Sequence, residues 1–229
     1  MKNTQRSKNL IFGIIGYGSI GKVHEKMLKD LNYKTYIYDP FFKKNKNFLP
    51  LKNINKFCDA IVIASPSNTH IKYLKFFADK KKHIFIEKPF SHEIKQTKKI
   101  IKIYKKYKKI IGINYNLRSR KSIICLKQIL SKVKKIYWAN FIMSSNVLRW
   151  RKRYNFKYNY THSNKAGGII FDSIHEIDLN TFLFKKIKFV NSFVGNYNKR
   201  IFKKSSFSSI NLNINNKFLS HIQLDYIGN

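Results

Sequence analysis

The chain has 229 residues, of which 47 are Lys or Arg and 11 are Asp or Glu, a formal net charge of +36 at pH 7. Two cysteines, Cys58 and Cys125, lie far apart without metal-ligand spacing, which excludes a disulfide framework and a cysteine-based metal centre. No apolar run reaches the length of a membrane-spanning helix. The basic excess fits either a polyanion-binding surface or compositional drift. Drift is favoured, because 40 of the 47 basic residues are Lys spread through nearly every segment, although Arg reads phosphate and bases better. Salt-sensitive adsorption to polyanions is expected, and a specific nucleic-acid partner is not.

In chain order, Met1 to Asn9 is basic and precedes apolar residues, as in a secretory leader. No small-residue cleavage site follows, however, and a glycine-rich turn interrupts the run, so a strand at 9–15 and a cytoplasmic location are expected. Gly16-Tyr17-Gly18-Ser19-Ile20-Gly21 then reads G-x-G-x-x-G between that strand and a helix at 19–31. Gly16 permits the tight turn, Gly18 lets a pyrophosphate approach the backbone, and Gly21 lets helix and strand pack closely. The helix amino end, at Ser19 and Ile20, offers N–H groups to the phosphates. A second strand at 33–38 ends at Asp39, placed to hold a ribose hydroxyl. Without an adjacent Arg, Asp39 favours NAD, while Lys43 and Lys44 leave NADP open.

Further strands are expected at 59–64, 83–86 and 109–113, with helices at 68–80 and 91–107 between them. Residues 41–52 read as a loop before a short helical turn. This alternation predicts a parallel Rossmann sheet over 1–117. After that the pattern changes: a helix at 121–131, a strand at 136–144, an irregular stretch at 145–166, a helix at 169–184, and strands at 187–197, 206–214 and 217–226. Residues 118–229 therefore read as an α+β domain with an open, mostly antiparallel sheet. Its three closing strands make a thin cover for a core, so the chain reads as a shortened form of a longer protein.

Two more clusters carry chemistry. Glu87-Lys88-Pro89 follows a strand at the carboxyl edge of the sheet, where ligands of such folds bind, and Pro89 fixes the turn, with a cis bond as one option. In Gly167-Gly168-Ile169-Ile170-Phe171-Asp172-Ser173-Ile174-His175-Glu176-Ile177-Asp178, three of the scarce acids fall within seven residues. On one continuous helix Ile170, Ile174, Ile177, Thr181 and Phe184 share a face, and Asp172, His175, Glu176 and Leu179 the opposite one. That second face is either solvated or a site.

Together with Ser65-Pro66-Ser67-Asn68-Thr69-His70 after the third strand, these motifs resemble, in order and spacing, the Gfo/Idh/MocA oxidoreductases (glucose–fructose oxidoreductase, inositol dehydrogenase and relatives). The resemblance implies a Rossmann domain followed by an α/β domain whose open sheet makes a homo-oligomer interface. It implies NAD(P)-dependent oxidation or reduction at a sugar, sugar-nucleotide or cyclitol hydroxyl. Lys88, Asp172 and His175 match the family's catalytic positions. Gly16, Gly18, Ser19, Ile20, Gly21, Asp39, Ser65, Pro66, Asn68, His70, Glu87 and Lys88 match its cofactor-binding ones. No metal is implied.

The Asp and His stand three apart rather than four, as in a subgroup that carries Tyr-Asn-Leu-Arg, here Tyr115 to Arg118, and is linked to surface-polysaccharide sugars. This nominates Asn116 and Arg118 as substrate ligands, although Ser119 and Lys121 replace the aromatic and proline that follow that Arg elsewhere. In the implied mechanism His175 takes the hydroxyl proton, Lys88 stabilises charge on the oxygen, and Asp172 pairs with Lys88 or orients the imidazole. A relative that uses NAD transiently for glycoside cleavage, an NAD-binding remnant without turnover, and a polyanion binder remain alternatives.

Overall fold

Five short runs in the first half pair in parallel as one sheet: β1 (Ile11–Ile15), β2 (Lys34–Tyr38), β3 (Ala60–Ile63), β4 (His83–Ile86) and β5 (Ile111–Ile113). Their order is β2-β1-β3-β4-β5. The computed structural model describes residues 10–42, 47–78, 80, 82–107, 109–149 and 167–228. Met1 to Asn9, Lys43, Lys44 and residues 150–166 of the expected irregular stretch lie outside the described residues. The chain divides between Asn114 and Tyr115 into two compact units.

In the first unit, alternate side chains of each strand supply two cores, as the period of two requires. Ile14, Ile37 and Val62 pack with Leu28 of α1 (Ser19–Asp30). Ile15, Ile61, Ile63, Ile84 and Ile86 pack with α2 (Leu51–Phe57), α3 (His70–Ala78) and α4 (Ile94–Tyr107) through Ile54, Leu74, Phe77, Ile100 and Tyr104. Both faces are covered, which is why the strands read as near-continuous apolar runs. Strand order reverses between β1 and β3, and the crevice beyond their carboxyl ends is where open α/β sheets take ligands. Helix α2 is the short helical turn expected after the 41–52 loop, continued to Phe57.

The second unit starts with a 3₁₀ turn, Asn116–Ser119, and α5 (Lys121–Lys132). Its four expected strands form one sheet: β6 (Trp138–Ser144), β7 (Ile187–Gly195), β8 (Phe207–Ile214) and β9 (Phe218–Asp225), in the order β6-β9-β8-β7, so the sheet is wider than its three closing strands alone. Two pairings are antiparallel, and β6 adds itself parallel to β9.

The expected helix at 169–184 is two helices, α6 (Ile169–Asp172) and α7 (Ile174–Leu183). They are broken at Ser173 (φ −104°, ψ 36°). The break overturns the two-face assignment. Asp172, Ser173, Asp178 and Asn180 are buried, whereas Thr181 is exposed. Among the described residues no helix is long and apolar enough to cross a membrane.

Candidate functional site

The glycine loop closes on itself by backbone contacts. Gly16 lies at φ +93°, and a Cβ there would stand 2.6 Å from the Ser65 Cα, so the loops after β1 and β3 touch through glycine. A Cβ on Gly21 would stand 2.1 Å from the Gly16 carbonyl oxygen. Gly18 differs: a Cβ there meets nothing within 4 Å. Gly18, Ser19 and Ile20 are exposed, and no side chain caps α1 and no acid lies in its first turn. The helix amino end is therefore open to an anion of ligand origin, and the space over Gly18 suits a diphosphate.

Asp39 buttresses this loop. Its Oδ2 accepts from the Tyr17 N–H (2.7 Å) and its Oδ1 from the Phe41 N–H (2.8 Å). Each carboxylate oxygen retains a second lone pair, so a ribose hydroxyl fits the same group. The Tyr17 hydroxyl donates to Glu25 of α1, and mainly this bond, with burial, pushes the phenol up to about 12.

Of the loop after β3, the Ser65 hydroxyl pairs with Thr69 Oγ1 (2.7 Å), the Thr69 hydroxyl donates to the Pro66 carbonyl (2.7 Å), and Pro66 and Asn68 are exposed. His70, expected among the cofactor-binding residues, stands beneath the loop surface. It is buried, with Nδ1 2.9 Å from the Pro89 carbonyl oxygen and Nε2 2.9 Å from the Ser65 carbonyl oxygen. Burial outweighs the two carbonyls and holds its pKa below the usual value. It ties two loops together beneath the surface.

Glu87 is tied as well. Its Oε1 accepts from His24 Nε2 (2.6 Å) and Asn114 Nδ2 (2.7 Å). Burial raises this carboxyl, but those two hydrogen bonds and the nearby His24 and Lys88 charges prevail and hold it below the usual carboxylate range. Lys88 follows at the strand end, half-buried, with a cis bond to Pro89.

In the second unit, Gly168 (φ +112°) opens α6, with Lys204 and Ser205 packed against it. Asp172 does not stand on a solvated face: it is buried and accepts a hydrogen bond from the Tyr226 hydroxyl. The break at Ser173 removes the regular i, i+3 relation to His175. His175 is half-buried and meets the edge of the Tyr115 ring (centroids 6.2 Å apart, planes at 83°).

Arg118 departs from the expected ligand role. Its Nε donates to Asp178 Oδ2 (2.7 Å) and its Nη2 to Asp178 Oδ1, and its guanidinium lies over the rings of Tyr115 and Phe182. Asn116 is exposed. Among the described residues no three His, Cys, Asp or Glu side chains group as metal ligands. Sequence reading did not nominate His24, Asn114, Tyr115, Asp178 or Tyr226 as site residues. Their partners stand between 27 and 63 residues away, except across the short step from Tyr115 to Arg118, so only the fold brings them together.

Residues 10–115 match the model of the GFO_IDH_MocA oxidoreductase family, NAD-binding Rossmann fold. The chain is 26% identical over 192 residues to the uncharacterized oxidoreductase YrbE of Bacillus subtilis, covering 77% of this chain and 54% of that protein. It is 25% identical over 186 residues to myo-inositol 2-dehydrogenase of Thermotoga maritima, covering 75% and 54%. The chain thus spans about half the length of these curated relatives. In fold it is similar to the WlbA dehydrogenase from Bordetella pertussis, crystallised with NADH and UDP-GlcNAcA, at a TM-score of 0.82 and 17% identity, covering 96% of this chain and 68% of that one.

Proposed function

From the premise that this chain is a member of the Gfo/Idh/MocA oxidoreductases, we propose that it is an NAD-dependent dehydrogenase acting at a hydroxyl-bearing carbon of a sugar nucleotide or related polyol. The observation that carries this reading is the open space over Gly18 at the uncapped start of α1, beside Asp39. Gly16, Gly18, Ser19, Ile20 and Gly21 would hold the diphosphate. Asp39, with the Ser65, Pro66 and Asn68 loop, would hold the adenosine side. Asp39 with no adjacent Arg favours NAD over NADP. Support for the substrate class comes from the UDP-GlcNAcA-bound WlbA neighbour and the inositol-oxidising relative.

NAD, when bound, supplies the hydride acceptor. The residues of the chain manage the proton. His175 is assigned the hydroxyl proton, which it takes on a ring nitrogen, imidazole being the side chain most often used as a general base. Lys88 is assigned to donate to the substrate oxygen and stabilise charge there. Asp172, its Oδ2 fixed by Tyr226, supplies a buried negative charge on the segment leading into His175.

A screen of nucleotide sugars, free sugars and cyclitols for NADH formation tests the reading. Turnover with one of them, lowered about 100- to 10,000-fold in His175→Ala at nearly unchanged NAD affinity, is the expected result. NAD uptake without turnover on any of them would leave a binding protein and overturn the enzyme reading.

The second sheet also supports self-association. Trp138, Ile142, Leu219 and Phe193 are exposed and, by register, share its outer face. A second copy seated there would cover them, and sedimentation should report a dimer or larger.

A further inference from the structure

The turn that carries Lys88 is anchored on both sides by side chains not among its assigned ligands. On the amino side, the Glu87 N–H donates to the Ile63 carbonyl (2.9 Å), and the Glu87 carboxylate is shared by His24 of α1 and Asn114 just past β5. An ionised carboxylate only accepts, so His24 must present its proton on Nε2. Its ring is held edge-on to Phe85 of β4 (centroids 5.8 Å apart, planes at 81°). On the carboxyl side, His70 sits between two carbonyls, Nδ1 2.9 Å from that of Pro89 and Nε2 2.9 Å from that of Ser65, and its neutral ring donates to one of them at a time. His92, four residues past Lys88, reaches Ser67 Oγ (2.8 Å).

We infer that His24, Asn114 and His70 are positioning residues that fix the backbone on either side of Lys88 and so aim its amine. This rests on the assignment of Lys88 to the substrate oxygen. Three elements converge on the turn: α1 through His24 and the end of β5 through Asn114, each hydrogen-bonded to Glu87, and the start of α3 through His70, which bridges the carbonyls of Pro89 and Ser65. A lysine has four rotatable bonds and wanders unless its root is fixed. A misplacement of ~1 Å at a reacting group costs turnover about 100-fold, so a fixed root is what the chemistry needs. His24 lies on the helix that the glycine loop opens. The Glu87 tether therefore also joins the dinucleotide-binding element to the turn bearing the amine.

The test reads Lys88 directly. Trace acetylation of the full-length protein, resolved by peptide mass spectrometry, gives the Lys88 rate relative to exposed lysines of α4 such as Lys98 and Lys105. The parent is compared with His24→Ala, Asn114→Ala and His24→Gln, and melting curves accompany each. His70→Gln is added where it folds. The expected result is a change of about threefold or more in the relative Lys88 rate in both alanine variants, from altered exposure and charge surroundings. The parent value should be regained in His24→Gln, which keeps a donor at that position, and the melting curves establish that each variant is folded at the labelling temperature.

Where turnover is measurable, the loss should fall on kcat and leave the KM for NAD nearly unchanged. Relative rates within error of the parent in both alanine variants would overturn the inference. If instead the parent takes up no NAD in calorimetry while the labelling shifts as expected, the dehydrogenase reading fails and the positioning of Lys88 stands.

Discussion

The two units handle polar groups in opposite ways. In the first, the sheet is covered on both faces, its core is almost wholly aliphatic and aromatic, and the polar groups gather at strand ends, where they bind one another. In the second, one sheet face is open and carries Trp138, Ile142, Leu219 and Phe193. Its interior accepts Asp172, Asp178, Asn180, Ser208 and Ser220. A parallel sheet fed by crossover helices leaves ligands only the crevice at its strand ends, so its chemistry is peripheral and its core simple. A sheet covered on one side can carry acids inward, provided each finds a donor. Asp172 has Tyr226, Asp178 has Arg118, and Asn180 donates to Ser220 (2.6 Å).

Breaking each unit at its own kind of joint sharpens the contrast. The largest effect is expected in the first unit, at the backbone contact in the glycine loop. Gly21→Ala places a methyl against a carbonyl that cannot rotate away, and denaturant titration should show a loss of about 3 kcal/mol, the upper end of overpacking costs. In the second unit, Arg118→Ala strands a buried Asp178 carboxylate. Arg118 is itself 41% exposed, so the loss should be about 1–3 kcal/mol, between the values for surface and buried pairs. The same change should move the His175 ring signals in NMR spectra, because Tyr115, which packs at nearly a right angle to His175, loses the cation over its ring. Tyr226→Phe removes one donor from Asp172 and should cost about 1 kcal/mol by the same titration.

This difference also governs what could be read from the residues alone. The five strands of the first sheet and the glycine loop are legible because cover on both faces keeps the strands mostly apolar, and because Gly16 and Gly21 stand where only glycine fits. In the second unit β6 and β8 alternate between more and less exposed positions, whereas β7 is exposed along nearly its whole length. The helix at 169–184 was misread because periodicity assumes that apolar residues face inward. Here Asp172 and Asp178 do so, and Ser173 breaks the helix between them. Of the site, the residues in contiguous motifs were legible. His24 and Tyr226 were not, because a single His or Tyr has no local signal until a carboxylate 63 or 54 residues away is folded against it. His70 was legible by position, whereas its burial between two carbonyls leaves no trace in sequence.

Smaller effects probe the first unit at the extremes of pH. The Glu87 carboxyl is held below its unfolded value, so its tethers contribute stability above the ordinary carboxylate range, and that stability is lost as pH falls through the lower folded value. Melting curves on the acid side should decline less steeply in His24→Ala than in the parent. The smallest effect concerns the thiols. Burial pushes Cys58 up to about 12, whereas Cys125 is exposed, so a thiol reagent near neutral pH should modify one cysteine of the native chain and the second only on unfolding.

The account turns on whether the loop between β1 and α1 receives a nicotinamide dinucleotide. Calorimetric titration of NAD into the full chain and into Gly18→Val measures this directly, because a Cβ at position 18 meets no protein atom within 4 Å and projects into the space assigned to the diphosphate. Saturable uptake of one equivalent by the parent, abolished in a variant that melts at the parent temperature, is the predicted result. No heat from the parent, or equal uptake by both proteins, would contradict it.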